Sequence, residues 1–372
     1  MTDILMTREV PSGAFGDVDD HRGGPQDSVS ILADMRWPGD TGIGQVQHAY
    51  LSRLPSTLKV IDLRVEGRLG HPLSPLRIAR AMRRHRAAGS FFWSAGFMPP
   101  LWGTAKAIVI VHDLMHLQYY SKTKALYYNL VLKPLYRRCA AIVCVSEYVR
   151  DEFLAWSGVD QAKMHVIPNG IQPRFLTPQK PDKPFPHDYI LYVGNHRPYK
   201  NLHRLIEAYG VSGLSAAGVH LVLSGHADDD LVALATTQNV GDFVHFVGSL
   251  PSEAIPSFYR AARAIAYVSL SEGFGLPIIE AMACGVPIVT SNVTAMPEVA
   301  GDAAILVDPY SLEDIAKGLI AACTNDDLRA EIVRKGLTRV RNFDWDISAR
   351  KMWTLVEHHA RLSATYGIRK LT

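Results

Sequence analysis

The chain has 372 residues, of which 48% are apolar and 20% are charged, and its formal net charge is +3 at pH 7. This length predicts two domains, and this apolar content excludes a disordered chain. The small net charge does not indicate nucleic acid as a partner. The four cysteines are too few and too scattered for a disulfide framework or a zinc site. No apolar run is long enough to span a bilayer and no signal peptide is recognisable, so we expect a cytoplasmic protein.

The first part of the chain predicts a flexible tail followed by an α/β domain. Residues 1–27 are rich in glycine, proline and aspartate and lack periodicity, which is typical of a tail. A glycine-rich turn at 37–44 leads into a predicted helix at 45–54. Short β-rich runs, separated by helical patterns, predict strands at 28–33, 58–63, 107–111 and 140–145. Such alternation is typical of a parallel sheet covered on both faces, and we assign residues 28–175 to this domain.

The same pattern starts again after a proline-rich segment. Five prolines between positions 173 and 186 predict a linker at 176–187. A second α/β domain is then predicted at 188–344, with a helix at 202–209. Its predicted strands lie at 189–194, 220–225, 243–248 and 287–290. Doubly wound domains of this kind bind ligands at the carboxyl ends of their strands.

The densest motif of the sequence runs from residue 271 to residue 285. Gly273 and Gly275 allow the backbone to approach a ligand closely, and the following residues predict a helix. The N-terminus of a helix after a glycine loop is suited to a diphosphate or to sugar hydroxyls. Glu272 precedes the loop and Glu280 lies one turn into the helix. From spacing alone, Glu280 is either a ligand-binding carboxylate or a helix-capping residue.

These two glutamates, separated by seven residues in a glycine frame, resemble the E-x7-E motif of retaining glycosyltransferases of family 4, which have the GT-B fold. Further segments resemble the same family, namely residues 41–44, 112–114, 145–147, 168–171 and 193–201. The resemblance implies a GT-B structure, with two Rossmann-like doubly wound domains that face each other across a cleft. It also implies that residues 345–372 form a helix that crosses back to the N-terminal domain.

The resemblance implies a role for each matching position. Glu272 would contact the sugar of the nucleotide-sugar donor, and Glu280 would bind the ribose hydroxyls of the nucleotide. Lys200 would neutralise the phosphates that leave, and His112 would contact the transferred sugar near the acceptor. Donor binding would be completed by Gly42, Gly44, Arg197, Phe274, Gly275 and Leu276.

Two of these positions keep alternative interpretations. Many members of the family have an arginine directly after the strand glycine, where this chain has Asn195. Arg197 could reach the same phosphate oxygens, or it could be an ordinary surface residue. His112 could instead be a hydrogen-bonded loop residue, or it could pair with His116 on a metal, although no third ligand of suitable spacing follows.

The resemblance predicts the reaction and its participants. The segments 34–36, 112–114 and 197–201 resemble those of bacterial mannosyltransferases of polysaccharide assembly. This resemblance favours GDP-mannose as donor, with UDP-sugars as competitors. The acceptor would be a glycan or a polyprenyl-diphosphate-linked sugar. Its hydroxyl would attack the anomeric carbon of the donor from the front face, without a covalent intermediate. We expect no cofactor and no metal, because Lys200 and helix dipoles can stabilise the leaving diphosphate. The alternatives are a nucleotide-sugar epimerase or hydrolase, and a non-catalytic nucleotide-sugar-binding protein.

Two segments of the N-terminal domain combine basic side chains with apolar or aromatic ones, at residues 75–88 and 126–138. This pattern suits an anionic membrane surface, which would make the protein peripheral on the cytoplasmic face of a membrane. A solvated helix face above a core stripe gives the same pattern. The sequence leaves both interpretations open.

Overall fold

The computed structural model of the protein describes residues 29–39, 41–85, 90–119, 121–177 and 183–368. The predicted tail at 1–27 lies outside the described residues. Within these ranges, every helix is too short or too polar to cross a lipid bilayer.

The N-terminal domain consists of six strands that alternate with helices. The strands are β1 (Val29–Ala33), β2 (Leu58–Asp62), β3 (Phe91–Ser94), β4 (Ala107–Val111), β5 (Ala141–Cys144) and β6 (Met164–Val166). The helices are α1 (Gly42–Leu51), α2 (Ser74–Arg84), α3 (Met115–Gln118), α4 (Lys122–Tyr127), α5 (Lys133–Tyr136) and α6 (Glu147–Ser157). A π-helical turn, Tyr128–Leu132, joins α4 to α5.

The C-terminal domain repeats this plan. Its strands are β7 (Asp188–Tyr192), β8 (Val219–Leu223), β9 (Val244–Phe246), β10 (Ala264–Tyr267), β11 (Ile288–Ser291) and β12 (Ile305–Val307). The remaining helices are α7 (Pro173–Leu176), α8 (Leu202–Val211), α9 (Asp229–Thr237), α10 (Ile255–Ala261), α11 (Leu276–Cys284), α12 (Met296–Ala300), α13 (Leu312–Thr324), α14 (Asp326–Arg339) and α15 (Trp345–Ile368).

Each domain contains one parallel six-stranded sheet, in the order β2-β1-β3-β4-β5-β6 and β12-β11-β10-β7-β8-β9. The predicted pair of doubly wound α/β domains is therefore confirmed. In the first sheet the strand order reverses between β1 and β3, and in the second it reverses between β7 and β10. Ligands of open α/β sheets bind at such reversals, beyond the carboxyl ends of the strands. The loops that follow these four strands are the expected location of the site.

The structure differs from the sequence prediction in some elements. Helix α1 begins at Gly42 rather than at residue 45, because Thr41 is its N-cap and accepts a hydrogen bond from the Gly44 amide. Strands β3, β6, β10 and β12 were not among the predicted strands. They have only three or four residues each, and a run this short carries no periodicity that distinguishes a strand from a buried helix.

The last helix, α15, follows the C-terminal domain in sequence but packs against the N-terminal one. Trp353 Nε1 donates to the Tyr50 carbonyl oxygen at 3.2 Å, and the ring of Trp345 lies 5.4 Å from that of Tyr50. The Ser348 hydroxyl donates to the Pro168 carbonyl oxygen at 2.7 Å. These contacts hold the two domains together on the side where the chain passes between them.

Candidate active site

The loop between β10 and α11 brings a glycine-rich backbone to the start of a helix. Gly275 has a φ of +90° and directly precedes α11, and Gly285 ends that helix with a φ of +68°. Both conformations are strained for a residue with a Cβ. The first N–H groups of a helix lack partners within the helix, and together with the dipole they attract an anion. The backbone at Phe274, Gly275 and Leu276 is therefore suited to a phosphate.

Lys200 and Glu272 form a buried ion pair beside this loop. Lys200 Nζ donates to Glu272 Oε1 at 2.6 Å and to the Tyr267 hydroxyl at 2.9 Å, and both charged side chains are 9% exposed. The lysine follows β7, and the tyrosine ends β10, so the pair lies at the reversal of the second sheet. An ammonium has three N–H donors, and these contacts use two of them. Lys200 can thus orient Glu272 and still donate to a phosphate oxygen.

Asn201 fixes the loop that carries Lys200. It has a φ of +62°. Its side-chain nitrogen, Nδ2, donates to the carbonyl oxygens of Val268 and Pro309 at 3.0 and 2.8 Å. Arg204 Nη1 in turn donates to the Asn201 side-chain oxygen at 3.0 Å. Because these contacts anchor the residue next to Lys200, the ammonium is held in place before any ligand binds.

His112 and Asp113 reach the site from the N-terminal domain, in the loop after β4. His112 Nε2 donates to the Ala95 carbonyl oxygen at 2.6 Å, and since a carbonyl only accepts, the proton of the neutral ring is on Nε2. Burial lowers the pKa of His112, which favours this neutral form, with Nδ1 able to accept a hydrogen bond. Burial also raises the pKa of Asp113 to about 6, and the nearby Glu272 carboxylate adds to the shift.

The alternative of a metal pair between His112 and His116 has no support in the geometry. The ring of His116 stacks on Tyr128 at a centroid distance of 3.6 Å, inside an aromatic cluster. In the ranges that the structure covers, no three His, Cys, Asp or Glu side chains are grouped so that they could hold a metal ion.

The two domains touch at the glycine loop itself. A Cβ on Gly273 would lie 1.7 Å from the His112 carbonyl oxygen, so only glycine fits there. The Ser146 hydroxyl donates to the Gly273 carbonyl oxygen at 2.7 Å. The Glu298 carboxylate accepts from the amides of Glu147 and Tyr148, the first residues of α6, at 2.8 and 3.0 Å. The loop that carries Glu272 is therefore positioned by both domains.

Glu280 has a different environment from Glu272. It is the fifth residue of α11, and the first turn of that helix contains no acidic residue, which excludes the capping interpretation. Its Oε2 accepts from the Tyr259 hydroxyl at 2.8 Å. Burial raises the pKa of Glu280 to about 7, while the Tyr259 hydrogen bond and the charge of Arg174 oppose the shift. Glu280 is thus a half-buried carboxyl that titrates near neutral pH.

The remaining predicted residues lie in the expected loops with different surroundings. Arg197 is exposed in the loop after β7, beside Lys200. A Cβ on Gly44 would lie 1.8 Å from the Pro38 carbonyl oxygen, and its amide already donates to Thr41 at 3.1 Å. Gly44 is therefore explained by packing within its own loop. Gly42, the first residue of α1, has open space where a Cβ would be.

The sequence analysis assigned no role to three residues that shape the site. Tyr267 contacts Lys200, Ser146 contacts the glycine loop and Glu298 contacts α6. Tyr267 could have been found as the last residue of a strand at the sheet reversal, if β10 had been predicted. The other two act across the interface between the domains. Ser146 lies in the segment 145–147 that resembles the family, but the resemblance gave it no role, and no local pattern marks Glu298.

Comparisons with known proteins connect this arrangement to one class of enzymes. A family model described as "Glycosyl transferases group 1" matches residues 174–339, and one described as "Glycosyltransferase Family 4" matches residues 49–175. The O-antigen chain mannosyltransferase B of Escherichia coli is 30% identical over 314 residues, which cover 80% of this chain and 79% of the relative. The O-antigen chain mannosyltransferase RfbU of Salmonella typhimurium is 29% identical over 241 residues, which cover 64% and 65%.

Solved structures share the fold. WaaG, a glycosyltransferase involved in lipopolysaccharide biosynthesis, matches with a TM-score of 0.70 at 17% identity, over 88% of this chain and 99% of that one. Sucrose-phosphate synthase from Thermosynechococcus elongatus matches with a TM-score of 0.68 at 18% identity, over 89% and 98% of the two chains. At these identities the likeness concerns the fold alone.

Proposed function

Since the chain belongs to glycosyltransferase family 4 and has the GT-B fold, we propose that it transfers mannose from GDP-mannose, with retention, to a hydroxyl of a glycan or of a polyprenyl-diphosphate-linked sugar. The chain is a glycosyltransferase by its family. The proposal adds the donor, the acceptor and the stereochemistry, and places the reaction in the assembly of a surface polysaccharide.

The choice of mannose is supported by the relatives. The two curated relatives described above are both named O-antigen chain mannosyltransferases, and the first covers about four fifths of this chain. An O-antigen chain is a polysaccharide, so a growing glycan is the corresponding acceptor. The nucleotide follows from the resemblance of the loops at 34–36, 112–114 and 197–201 to mannosyltransferases of this kind.

The buried contact between Lys200 and Glu272 is the observation that carries the proposal. In the transfer, the bond from the anomeric carbon to the diphosphate oxygen breaks and a bond to the acceptor oxygen forms on the same face. The acceptor proton moves to the departing phosphate. Negative charge grows on the diphosphate, and the Lys200 ammonium together with the α11 N-terminus stabilises it. Glu272, held by Lys200, accepts hydrogen bonds from hydroxyls of the donor sugar.

The other residues act in binding. Glu280 accepts from the ribose hydroxyls, and Arg197 donates to the diphosphate from the loop beside Lys200. Gly42 lets the backbone of α1 approach the donor from the N-terminal domain. His112 Nδ1 accepts a hydrogen bond from a hydroxyl of the transferred sugar. Because fixed cations and N–H groups neutralise the leaving group, we expect that the reaction needs no divalent metal.

A panel of nucleotide sugars tests the donor. We expect isothermal titration calorimetry to detect the binding of GDP-mannose. UDP-glucose, UDP-N-acetylglucosamine and GDP-fucose should each bind at least tenfold more weakly. Lys200→Met removes the ammonium, and we expect it to reduce the affinity for GDP-mannose. Lys317→Met, at an exposed position of α13, is the matched control and keeps wild-type binding. Tighter binding of a UDP-sugar would contradict the proposed donor.

A further inference from the structure

One part of the N-terminal domain is far more basic than the rest of the chain. Residues 67–146 contain 12 lysines and arginines and a single acidic residue, Asp113. The whole chain has a net charge of only +3, so the remaining residues carry a net charge of −8. Asp113 belongs to the cleft beside Glu272. The outward-facing charge of this segment is therefore positive.

Exposed leucines accompany this charge. Leu126 and Leu130 are 57% and 67% exposed, and Leu73 and Leu101 are exposed as well. Single exposed leucines are common, whereas a group of them marks an interaction surface. Two hydrogen bonds join the segments that carry them. The Tyr127 hydroxyl donates to the Pro72 carbonyl oxygen at 2.8 Å, and the Leu101 amide donates to the Pro75 carbonyl oxygen at 2.9 Å.

Helix α2 and the helical segment at 122–136 each have one buried apolar side and one exposed side, and the exposed side carries basic residues or leucines. In α2, Ile78 and Ala79 are buried. The exposed side of the same helix carries Arg80, Arg83 and Arg84. Leu126 and Leu130 are four residues apart and so share one side of their helical segment. Tyr128 on the other side is buried. We name the basic-leucine surface by its members, Leu73, Leu101, Leu126, Leu130, Arg80, Arg83, Arg84, Lys122 and Lys124.

This surface begins at the rim of the active-site cleft. Helices α3 and α4 follow His112 and Asp113 directly in the chain. Between those helices, the ring of Tyr119 lies 5.7 Å from that of Tyr199, the residue before Lys200. A molecule held at the basic-leucine surface is therefore close to the entrance of the acceptor side.

We propose that the basic-leucine surface docks the enzyme on a bilayer that contains anionic phospholipids. The arginines and lysines pair with lipid phosphates, and the leucines enter the boundary between headgroups and acyl chains. The exposed leucines favour a lipid surface over nucleic acid, which offers them no apolar contact. This inference goes beyond the proposed function, because it concerns where the enzyme works rather than which sugar it transfers.

Vesicle co-sedimentation of the full chain tests the inference. We expect the protein to bind phosphatidylglycerol vesicles at about 0.1 M salt and to be largely released at about 1 M, where the Debye length falls to about 3 Å. Each basic residue near an anionic surface contributes about 1 kcal/mol. The triple variant Arg80→Gln, Arg83→Gln, Arg84→Gln should therefore bind roughly 100-fold more weakly. Leu126→Ser with Leu130→Ser should remove the binding that persists at high salt.

Control variants carry the same changes elsewhere. Lys317→Gln, Arg334→Gln and Arg341→Gln neutralise three exposed cations of the C-terminal domain, and Leu337→Ser alters an exposed leucine there. We expect these controls to bind vesicles like the wild type, and all variants to retain GDP-mannose binding. Equal binding to phosphatidylglycerol and phosphatidylcholine, equal loss in the control variants, or retention on a soluble polyanion with none on vesicles would overturn the inference.

Discussion

Glu272 and Glu280 are separated by only seven residues, yet they have different partners, and we expect their substitutions to have different effects. We predict that Glu280→Gln weakens GDP-mannose binding roughly 10- to 150-fold, because hydrogen bonds to a charged group contribute about 1.5–3 kcal/mol. Glu272→Gln keeps an oxygen for Lys200 and should instead lower turnover while sparing the affinity for GDP. Calorimetry and initial rates measure the two effects. An equal loss of nucleotide affinity in both variants would show that their roles are wrongly divided.

The pH dependence of binding distinguishes a direct role of Glu280 from a structural one. Burial raises the pKa of Glu280 to about 7. As the pH falls below that value the carboxylate is protonated and accepts ribose hydrogen bonds less well, so affinity should decrease toward acid. GDP-mannose is the suitable ligand, since its diphosphate does not titrate in this range. The decrease should be absent in Glu280→Gln, and its persistence there would assign it to another group.

For single residues, the sequence predicted the charged side chains of the site better than the residues that form hydrogen bonds with them. Lys200 and Glu272 were expected in one site from separate motifs, and the structure brings them to 2.6 Å of each other. Tyr267, which accepts from the same ammonium, was not expected. A motif marks residues of unusual type in a loop, whereas a buried tyrosine at a strand end looks like an ordinary core residue until the pairing of strands is known.

Helix α6 shows how one element connects the domains. Its first amides donate to the Glu298 carboxylate of the C-terminal domain, and a negative charge is favourable at a helix N-terminus. We predict that Glu298→Gln raises hydrogen exchange at the amides of Glu147 and Tyr148 about tenfold, since a contact of this kind contributes about 1–2 kcal/mol. Mass spectrometry of peptides from residues 145–150 measures it.

A matched variant controls for the loss of charge alone. Glu313→Gln changes an exposed carboxylate in the first turn of α13, within the C-terminal domain, and should leave the exchange of α6 unchanged. If Glu298→Gln also leaves it unchanged, the carboxylate does not hold the domains together at this position.

Every five-residue strand that the structure describes was predicted, whereas the missed strands have only three or four residues. The strand at 107–111 was predicted with its observed bounds, because five apolar residues lie between clear breaks. The missed strands are β3, β6, β10 and β12, and helix α1 was predicted to start three residues late. In the last case the Thr41 cap was a readable signal, but a glycine at the first helical position obscured it.

At the scale of the whole molecule, each domain contributes different residues to the candidate site. The C-terminal domain contains Lys200, Glu272 and the α11 N-terminus, and the N-terminal domain contains His112 and the basic-leucine surface. The alternation of strands and helices was enough to predict two doubly wound domains. It gave no information on how they face each other, which depends on single contacts such as that of Ser146 with Gly273.

The stereochemistry of a metal-free turnover tests the central claim most directly. The enzyme would be incubated in EDTA with GDP-α-mannose and mannose-terminated or polyprenyl-diphosphate-linked acceptors, and the anomeric signal of the product read by NMR. We predict an α-linked mannose product with wild-type enzyme, since Lys200 and the α11 N-terminus stabilise the leaving diphosphate, and none with Lys200→Met. A β-linked product, or turnover that requires added Mg²⁺ or Mn²⁺, would contradict the account.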